Sequence, residues 1–368
     1  MSLVLDVDAG AWREHLRAHV AAHSGVVPVI KGNGYGFGRR RLLDEAAALG
    51  VDTVAMGTYA EAAEALAHGS FKTVAVLEPW RPSGPAADGT RHQAGTGHVA
   101  AVSPADPRVL HTVGRVEDLD AIAAAGGPVR VAVEVLTSMR RHGIEAGAVT
   151  GLASRLGSID ATGVQVEAAA FHLPIDRPRR SDPVQEVCTW LGLLRDAGLN
   201  VATAYTSHLS DAETAALSAQ AGAVRLRPRV GTALWLGADA ALRARGRVVD
   251  VRAVRRGERI GYRQRRLPAD GSLVIVSGGT AHGIGLDAVR VPRGLARARV
   301  LAVAGLDLFG LRLSPFRWRG AQRWYAEPPH MQVSMLFLPA TVVPPTTGDW
   351  LDVDCRKTTM AFDEVRLR

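Results

Sequence analysis

The chain has 368 residues, of which 47% are hydrophobic, so it is long enough and apolar enough to bury a large core. Charged residues make up 22% of the chain and glycine accounts for 39 residues, a composition that excludes a disordered or collagen-like protein. Two cysteines are too few for a disulfide framework, and the first residues lack the basic and apolar segments of a signal peptide. We therefore expect a cytoplasmic protein without a transmembrane helix.

The formal net charge is +8, and nearly all of the positive charge is arginine, because lysine occurs only at Lys31, Lys72 and Lys357. The densest basic run, residues 252–266, contains seven arginines but only one aromatic residue, Tyr262. Surfaces that bind single-stranded nucleic acid usually combine cations with several stacking aromatic side chains. We interpret this run as a solvated strand face and expect neither a nucleic-acid nor a membrane partner.

Short β-rich runs alternate with Ala- and Leu-rich helical runs through residues 1–237. The predicted strands are 26–30, 53–56, 73–77, 99–102, 109–113, 129–135, 164–170, 201–205 and 223–226. The predicted helices are 42–49, 59–67, 116–125, 184–197 and 211–221. Ser210 with Glu213 three residues later has the spacing of a capped helix start.

Strands separated by helices of about 10–15 residues indicate βαβ units and hence a parallel sheet. Eight such units in a segment of this length favour a (β/α)8 barrel of the TIM type over an open sheet. The count leaves one surplus strand, which we attribute to a loop insertion within residues 79–108.

Helical periodicity fades after Gly237, and short alternating runs replace it. The predicted strands of this part are 247–254, 259–264, 273–276, 297–303, 331–337, 350–353 and 364–367. Residues 238–368 are therefore predicted to form a separate, mostly antiparallel β domain.

Lys31 directly follows the first predicted barrel strand and opens a loop with glycine at positions 32, 34, 36 and 38. Functional groups of a parallel barrel lie where its strands end, so this lysine is expected at the barrel mouth. An amine backed by apolar strand residues is a candidate for a lowered pKa and nucleophilic reactivity. The glycine loop and the Tyr35 hydroxyl are suited to receiving a phosphate. The alternative is a glycine loop that carries a surface lysine.

Residues 28–38 resemble the lysine motif of the alanine racemase family, in which a strand is followed by Val-Lys-Ala-Asn/Asp-Ala-Tyr-Gly-His-Gly. The resemblance covers most of the chain weakly and several short stretches well. It implies a barrel followed by a β domain, and pyridoxal 5′-phosphate (PLP) held as a Schiff base on Lys31. It also implies that Tyr35 binds the cofactor phosphate. A head-to-tail homodimer is implied too, with each active site built from one barrel and the other subunit's β domain.

Three further stretches resemble family motifs. Residues 139–144 look like Met-Gly-Arg-Leu-Gly-Ile, which implies that Arg141 lies near the cofactor phenolic oxygen and the substrate carboxylate. Residues 171–173 look like Thr-His-Phe after a strand, which implies that His172 lies beside the pyridine ring, although a buried structural histidine is equally compatible. Ser207 occupies the place of a phosphate-binding serine.

Residues 229–235 resemble the family's Arg-Pro/Phe-Gly-Ile-Ala-Leu-Tyr. The resemblance implies that Arg229 contacts the pyridine nitrogen and that the amides of Gly231 and Thr232 help to hold the phosphate. A guanidinium does not release its proton, so it leaves the ring nitrogen unprotonated. The ring is then a poorer electron sink, which suits racemisation because side reactions such as transamination are suppressed.

The second catalytic base of the family is a tyrosine in Val-Gly-Tyr-Ala-Asp-Gly, and here the resemblance breaks. The matching stretch, residues 278–283, has Thr280 in that place, and a threonine hydroxyl is too weak a base and too short. His282, two residues on, is the candidate replacement, since an imidazole titrates at about pH 6.5. The alternative is a structural turn histidine. Tyr262 matches a different family segment and is not interpreted as the base.

Residues 330–335 resemble the family's Gly-Arg-Val-Ser-Met-Asp, which implies that the amide of Met335 binds the substrate carboxylate. The leading hypothesis is thus a PLP-dependent amino-acid racemase that exchanges the α-proton and forms a D-amino acid. A PLP-dependent decarboxylase is a second hypothesis, which Arg229 disfavours, and a PLP-binding carrier or partner protein without turnover is a third. No metal-site motif is present in the sequence.

Overall fold

The computed structural model describes residues 2–82, 102–124, 126–159, 163–286 and 312–368. By internal contacts the chain divides into two compact units. One comprises residues 16–32 and 39–235, and we call it the barrel unit. The other comprises residues 1–15, 33–38 and 236–368, and we call it the β unit.

The chain begins with strand β1 (Leu3–Val7) and helix α1 (Ala9–Ala22). Eight parallel strands then close the barrel: β2 (Val27–Ile30), β3 (Thr53–Met56), β4 (Thr73–Pro79), β5 (Val109–Val113), β6 (Val129–Glu134), β7 (Val164–Ala170), β8 (Thr203–Thr206) and β9 (Arg225–Val230). The described helices between and after them are α2 (Arg39–Ala48), α3 (Tyr59–His68), α4 (Asp118–Ala123), α5 (Val149–Ser158), α6 (Pro183–Asp196), α7 (Asp211–Gln220) and α8 (Thr232–Leu236). The predicted (β/α)8 barrel is confirmed.

The barrel interior is filled by buried side chains from its strands. This cluster consists of Val27, Val29, Ala55, Ala75, Leu110, Ala132, Ala168, Ala170 and Tyr205. The predicted start of α7 is confirmed, because the Ser210 side chain accepts from the Glu213 amide while the Glu213 carboxylate accepts from the Ser210 amide.

The surplus strand predicted at 99–102 falls mostly outside the described residues. Strands β4 and β5, which flank it in the sequence, pair directly with each other in parallel. Residues 99–101 lie outside the described residues, and Val102 is in a bend. The sequence pattern also missed helix α5, which carries the chain from β6 to β7.

The β unit contains the second sheet. Its strands are β10 (Leu242–Val254), β11 (Arg259–Ile260), β12 (Arg265–Arg266), β13 (Gly271–Ser277), β14 (Leu313–Trp318), β15 (Ala321–Tyr325), β16 (Val333–Pro339), β17 (Trp350–Val353) and β18 (Glu364–Leu367). The order in the large sheet is β13-β16-β15-β14-β17-β10-β1-β18, with β13 also paired to β10, and β11 pairs only with β12. All described pairings are antiparallel except β1 with β18, so the mostly antiparallel β domain is confirmed.

The unit boundary differs from the predicted division into 1–237 and 238–368 at the N-terminus. Strand β1 is entirely buried and pairs with β10 and β18, which fixes residues 1–15 in the β unit. Residues 33–38 group with the same unit. The predicted strand at 259–264 shortens to β11, and the predicted strand at 297–303 lies outside the described residues. Among the described helices, none combines the length and the apolar character that a membrane crossing requires.

Candidate active site

Lys31 is the first residue after β2, at the end of the barrel where the strands finish. Partial burial lowers the pKa of its amine, and the guanidinium groups of Arg141 and Arg229 lower it further, whereas Glu61 opposes the shift. A lowered pKa increases the neutral, nucleophilic fraction of the amine near neutral pH. The expected pKa shift of this lysine thus has two sources, of which only the burial was foreseen from the sequence.

The backbone beside Lys31 is held by Glu61, a residue that the sequence analysis did not single out. Its carboxylate accepts from the amide of Gly32 at 2.8 Å and from the amide of Gly57 at 2.9 Å. A side chain at position 57 would not fit, because its Cβ would lie 2.9 Å from the Cβ of Lys31. Arg39 donates to the carbonyl of Gly32 at 2.5 Å. The backbone next to Lys31 is therefore held in place by side-chain hydrogen bonds.

A buried carboxylate, Glu134, ends strand β6 within reach of two of the predicted site arginines. Its oxygens lie 3.9 Å from Arg229 and 3.7 Å from Arg141, and His142 is 3.5 Å away. Burial raises the pKa of Glu134, and the two guanidinium groups act against that shift. The sequence did carry a signal for this residue, since it is an acidic side chain within the apolar run of a barrel strand.

Arg229, near the end of β9, is buried and donates to the carbonyl of Phe171 at 3.1 Å. Burial lowers its pKa, while Glu134 raises it and Arg141 lowers it further. The pairing with Glu134 and Phe171 leaves this cation with a fixed direction inside the barrel unit.

Arg141 lies in a loop whose base is closed by backbone pairing. The amide of Ile144 donates to the backbone carbonyl of Glu134 at 2.8 Å, and the amide of Leu136 donates to the backbone carbonyl of Ile144 at 2.9 Å. Gly143 has φ 136°, and a Cβ there would lie 2.4 Å from the carbonyl carbon of Val135, so only glycine permits this closure. Arg141 itself is exposed.

His172 and Ser207 are brought together after β7 and β8. The Ser207 oxygen lies 2.9 Å from Nδ1 of His172 and 3.3 Å from the carbonyl of Phe171. Burial lowers the pKa of His172 to about 3, with additional contributions from Arg229 and Arg141. His172 is therefore neutral at physiological pH. The ring of His208, another residue that the sequence analysis passed over, meets His172 edge-on at 5.2 Å.

Comparison with known proteins identifies the family. Residues 7–238 match the family model described as alanine racemase, N-terminal domain. The chain belongs to the alanine racemase family. No curated protein sequence matches it.

Solved structures of the family share its fold at low sequence identity. The alanine racemase of Clostridium difficile 630 has a TM-score of 0.68 at 15% identity, covering 96% of this chain and 87% of that one. The alanine racemase of D-cycloserine-producing Streptomyces lavendulae has a TM-score of 0.67 at 20% identity, with coverages of 96% and 87%. A histidine racemase from Leuconostoc mesenteroides subsp. sake has a TM-score of 0.66 at 16% identity, with coverages of 95% and 87%.

The remaining residues that the sequence matched to the phosphate are divided between the two units. Gly231 and Thr232 lie at the start of α8, which is tied to the lysine strand because Trp235 donates from Nε1 to the carbonyl of Val29 at 2.9 Å. Tyr35 is buried within the 33–38 segment of the β unit and has φ 54°. Its predicted role at the phosphate stays a prediction.

Two further candidate residues, His282 and Met335, lie in the β unit. His282 is buried in a 3₁₀ turn; its Nδ1 accepts from the Gly279 amide at 3.2 Å and its Nε2 lies 3.2 Å from Asp363. Both ring nitrogens are thus engaged, which is the pattern of the structural alternative. Met335 lies in β16, where its side chain packs against a small apolar cluster and its carbonyl accepts from Ala326. In the described part of the chain, no group of His, Cys, Asp and Glu has the arrangement of metal ligands.

Proposed function

We propose that this member of the alanine racemase family is a PLP-dependent amino-acid racemase. The observation that carries the proposal is Lys31 at the end of β2, with a pKa lowered by burial and by Arg141 and Arg229. The residues around it fit the cofactor: an amine for the aldehyde, a hydroxyl and backbone amides for the phosphate, and a buried guanidinium for the ring. PLP, when bound, would stabilise the negative charge that develops at the α-carbon of an amino acid.

On this proposal the barrel residues divide the work. Lys31 binds the cofactor and moves the α-proton on one face of the substrate. The cofactor phosphate is held by Ser207, Gly231, Thr232 and Tyr35. These phosphate contacts all come from neutral hydrogen-bond donors, so the amine of Lys31 is not needed there and is free to react.

Arg229 and His172 would fix the ring. Arg229 keeps its proton even though burial lowers its pKa, so it favours an unprotonated ring nitrogen and racemisation over transamination. His172, neutral because its pKa is about 3, offers a flat apolar face without adding charge. Arg141 and the amide of Met335 would bind the substrate carboxylate.

The proposal includes a head-to-tail homodimer in which the β unit of one subunit completes the barrel site of the other. The substrate is an amino acid, and the product is its mirror image. A carrier that binds PLP without turnover is the second candidate, and the observation in its favour is Thr280, which replaces the family's tyrosine base.

The first experiment tests attachment of the cofactor. The protein incubated with PLP is expected to gain the absorbance of lysine-bound PLP, and borohydride reduction followed by peptide mass analysis is expected to find the label on Lys31. Lys31→Ala should lose both signals. Lys72→Ala is the matched control, because Lys72 is an exposed lysine of the same unit at the opposite end of the strands. Labelling of another lysine, or none, would overturn the proposal.

The second experiment distinguishes the candidate functions in deuterated water. A racemase incorporates deuterium at the α-carbon and inverts it, whereas a carrier does neither with any amino acid. Release of carbon dioxide instead would identify a decarboxylase. A screen of L-amino acids followed by chiral separation therefore decides among the three outcomes.

A further inference from the structure

The proposed function needs two proton-transferring groups, one for each face of the α-carbon, and Lys31 supplies only one. Thr280 cannot supply the other, and both ring nitrogens of His282 are engaged inside the β unit. The second proton-transferring side chain must therefore have an atom that can bind and release a proton, leave that atom free of other hydrogen bonds, and lie beside Thr280.

A buried carboxylate in the β unit organises such a group. Glu327 is 3% exposed, and its carboxylate accepts from the amide of Tyr262 at 3.0 Å. The adjacent Gly261 has φ 68°, and a Cβ there would lie 1.9 Å from a Glu327 oxygen. The close approach of the carboxylate therefore depends on glycine at this position.

His330 is the partner of this carboxylate. Its Nε2 lies 2.5 Å from Oε1 of Glu327, and the described residues provide no hydrogen bond to its Nδ1. The side chain is 23% exposed, compared with 9% for His282. A carboxylate that accepts a hydrogen bond from Nε2–H leaves Nδ1 as the basic nitrogen, which is the arrangement by which acidic side chains orient catalytic histidines.

His330 also lies directly beside Thr280. The amide of Thr280 donates to the carbonyl of His330 at 2.8 Å, and the amide of Ala281 donates to Met331 at 2.9 Å. The amide of His330 donates to Val333 at 2.9 Å and so fixes the turn before β16. Two segments distant in sequence thus bring the backbone of His330 to the turn that matches the family's tyrosine motif.

We propose that His330, oriented by Glu327, is the second acid–base group of the racemase. The proposal rests on the proposed function. In one direction neutral Nδ1 of His330 of the partner subunit takes the α-proton while the ammonium of Lys31 delivers a proton to the opposite face. In the reverse direction the neutral amine of Lys31 takes the proton and the imidazolium of His330 of the partner subunit delivers one. The electron pair of the broken C–H bond forms the new one, so no oxidant or reductant is needed.

Tyr262 lies next to this pair, and the centroid of its ring is 4.7 Å from that of the His330 ring. Tyr262 is 86% exposed and Met331, which follows His330, is 69% exposed. The phenol of Tyr262 is therefore the competing candidate for the second acid–base group, and a test must distinguish it from the imidazole.

The test compares inversion with one-sided exchange in the PLP-loaded protein. His330→Asn is expected to lower racemisation in both directions by roughly 100-fold or more, the usual contribution of a general acid–base group. Deuterium uptake by the enantiomer whose α-proton faces Lys31 should persist, and it should disappear in Lys31→Ala. His23→Asn is the matched control, since His23 also pairs with a carboxylate, Asp211, and its side chain is 22% exposed.

A second measurement concerns the full chain without substrate. Nitrogen NMR of labelled histidine is expected to find the proton of neutral His330 on Nε2, and Glu327→Gln should shift it toward the other tautomer while slowing inversion. Inversion that survives in His330→Asn, or that is lost instead in Tyr262→Phe or His282→Asn, would overturn the assignment. Absence of exchange in the unmodified protein would refute the proposed function itself, and this proposal with it.

Discussion

Each unit buries a carboxylate that belongs to the proposed active site, Glu134 in the barrel unit and Glu327 in the β unit, and the two carboxylates have different partners. Glu134 pairs with Arg229 and Arg141, which do not release protons, and with His142, whose pKa is lowered by burial. Glu327 meets His330, whose imidazole can both bind and release a proton. The arginines of the first arrangement hold charge in place, whereas the imidazole of the second can move a proton. The chemistry of a buried acid is thus set by the base beside it.

The largest expected effect follows from breaking the buried pair in the barrel. Arg229→Gln leaves the carboxylate of Glu134, which is 2% exposed, without its buried guanidinium. We expect a loss of about 3 kcal/mol in the free energy of unfolding at pH 8, because an unpaired buried charge is costly. The measurement is urea unfolding followed by circular dichroism.

The pH dependence of that loss gives the control. Burial raises the pKa of Glu134, and removal of Arg229 takes away the main opposing charge, so the folded state binds a proton that the unfolded state releases. Stability of Arg229→Gln should therefore fall as pH rises above about 4.3, the ordinary value for glutamate. The double variant with Glu134→Gln should lose this pH dependence. Equal losses at pH 4.5 and pH 8 in the single variant would contradict the buried-charge account.

An effect of intermediate size is expected when each of the two buried carboxylates is replaced by an amide and the pH dependence of racemisation is compared. Glu134→Gln is expected to weaken substrate binding through a mispositioned Arg141 and to move in the pH–rate profile the limb that belongs to Lys31, whose pKa Arg141 helps to lower. Glu327→Gln is expected to change the other limb, because its partner is an imidazole. Steady-state racemisation from pH 6 to 9 measures both variants. If the two variants had pH–rate profiles of the same shape, the different roles given to Glu134 and Glu327 would be contradicted.

The same contrast governs how much could be predicted from the sequence. Barrel strands are short apolar runs bounded by helices, so β3, β5 and β7 coincide with their predicted ranges. Functional groups of a parallel barrel follow strand ends, which is why Lys31 could be singled out as a candidate, whereas Arg229 was assigned from its resemblance to a family motif. Glu134 ends a predicted strand and could have been found by the same rule.

Less of the β unit could be predicted from the sequence, because its strands and its candidate site residues are brought together by contacts between distant parts of the chain. Strand β1 is fully apolar except for Asp6, yet its partners lie at Gly246 and Glu364, far along the chain. The run at 259–264 alternates like a strand, but Gly261 turns it toward the Glu327 carboxylate. Nothing local in the sequence connects Glu327 and His330 to Thr280, so the candidate base was assigned to the nearer His282.

The smallest expected effect concerns the arginine at the surface of the barrel site. Arg141→Gln removes one of the two cations that lower the pKa of Lys31, so that pKa should rise and the neutral amine at pH 7 should become scarcer. Because the Arg141 side chain is 45% exposed, water screens its charge, and we expect the rate of PLP condensation to fall only severalfold. Arg155→Gln, with a side chain 46% exposed on helix α5, is the matched control. High salt should reproduce the effect of Arg141→Gln in the unmodified protein and add nothing to the variant, because a screened charge and a deleted one act alike on the amine.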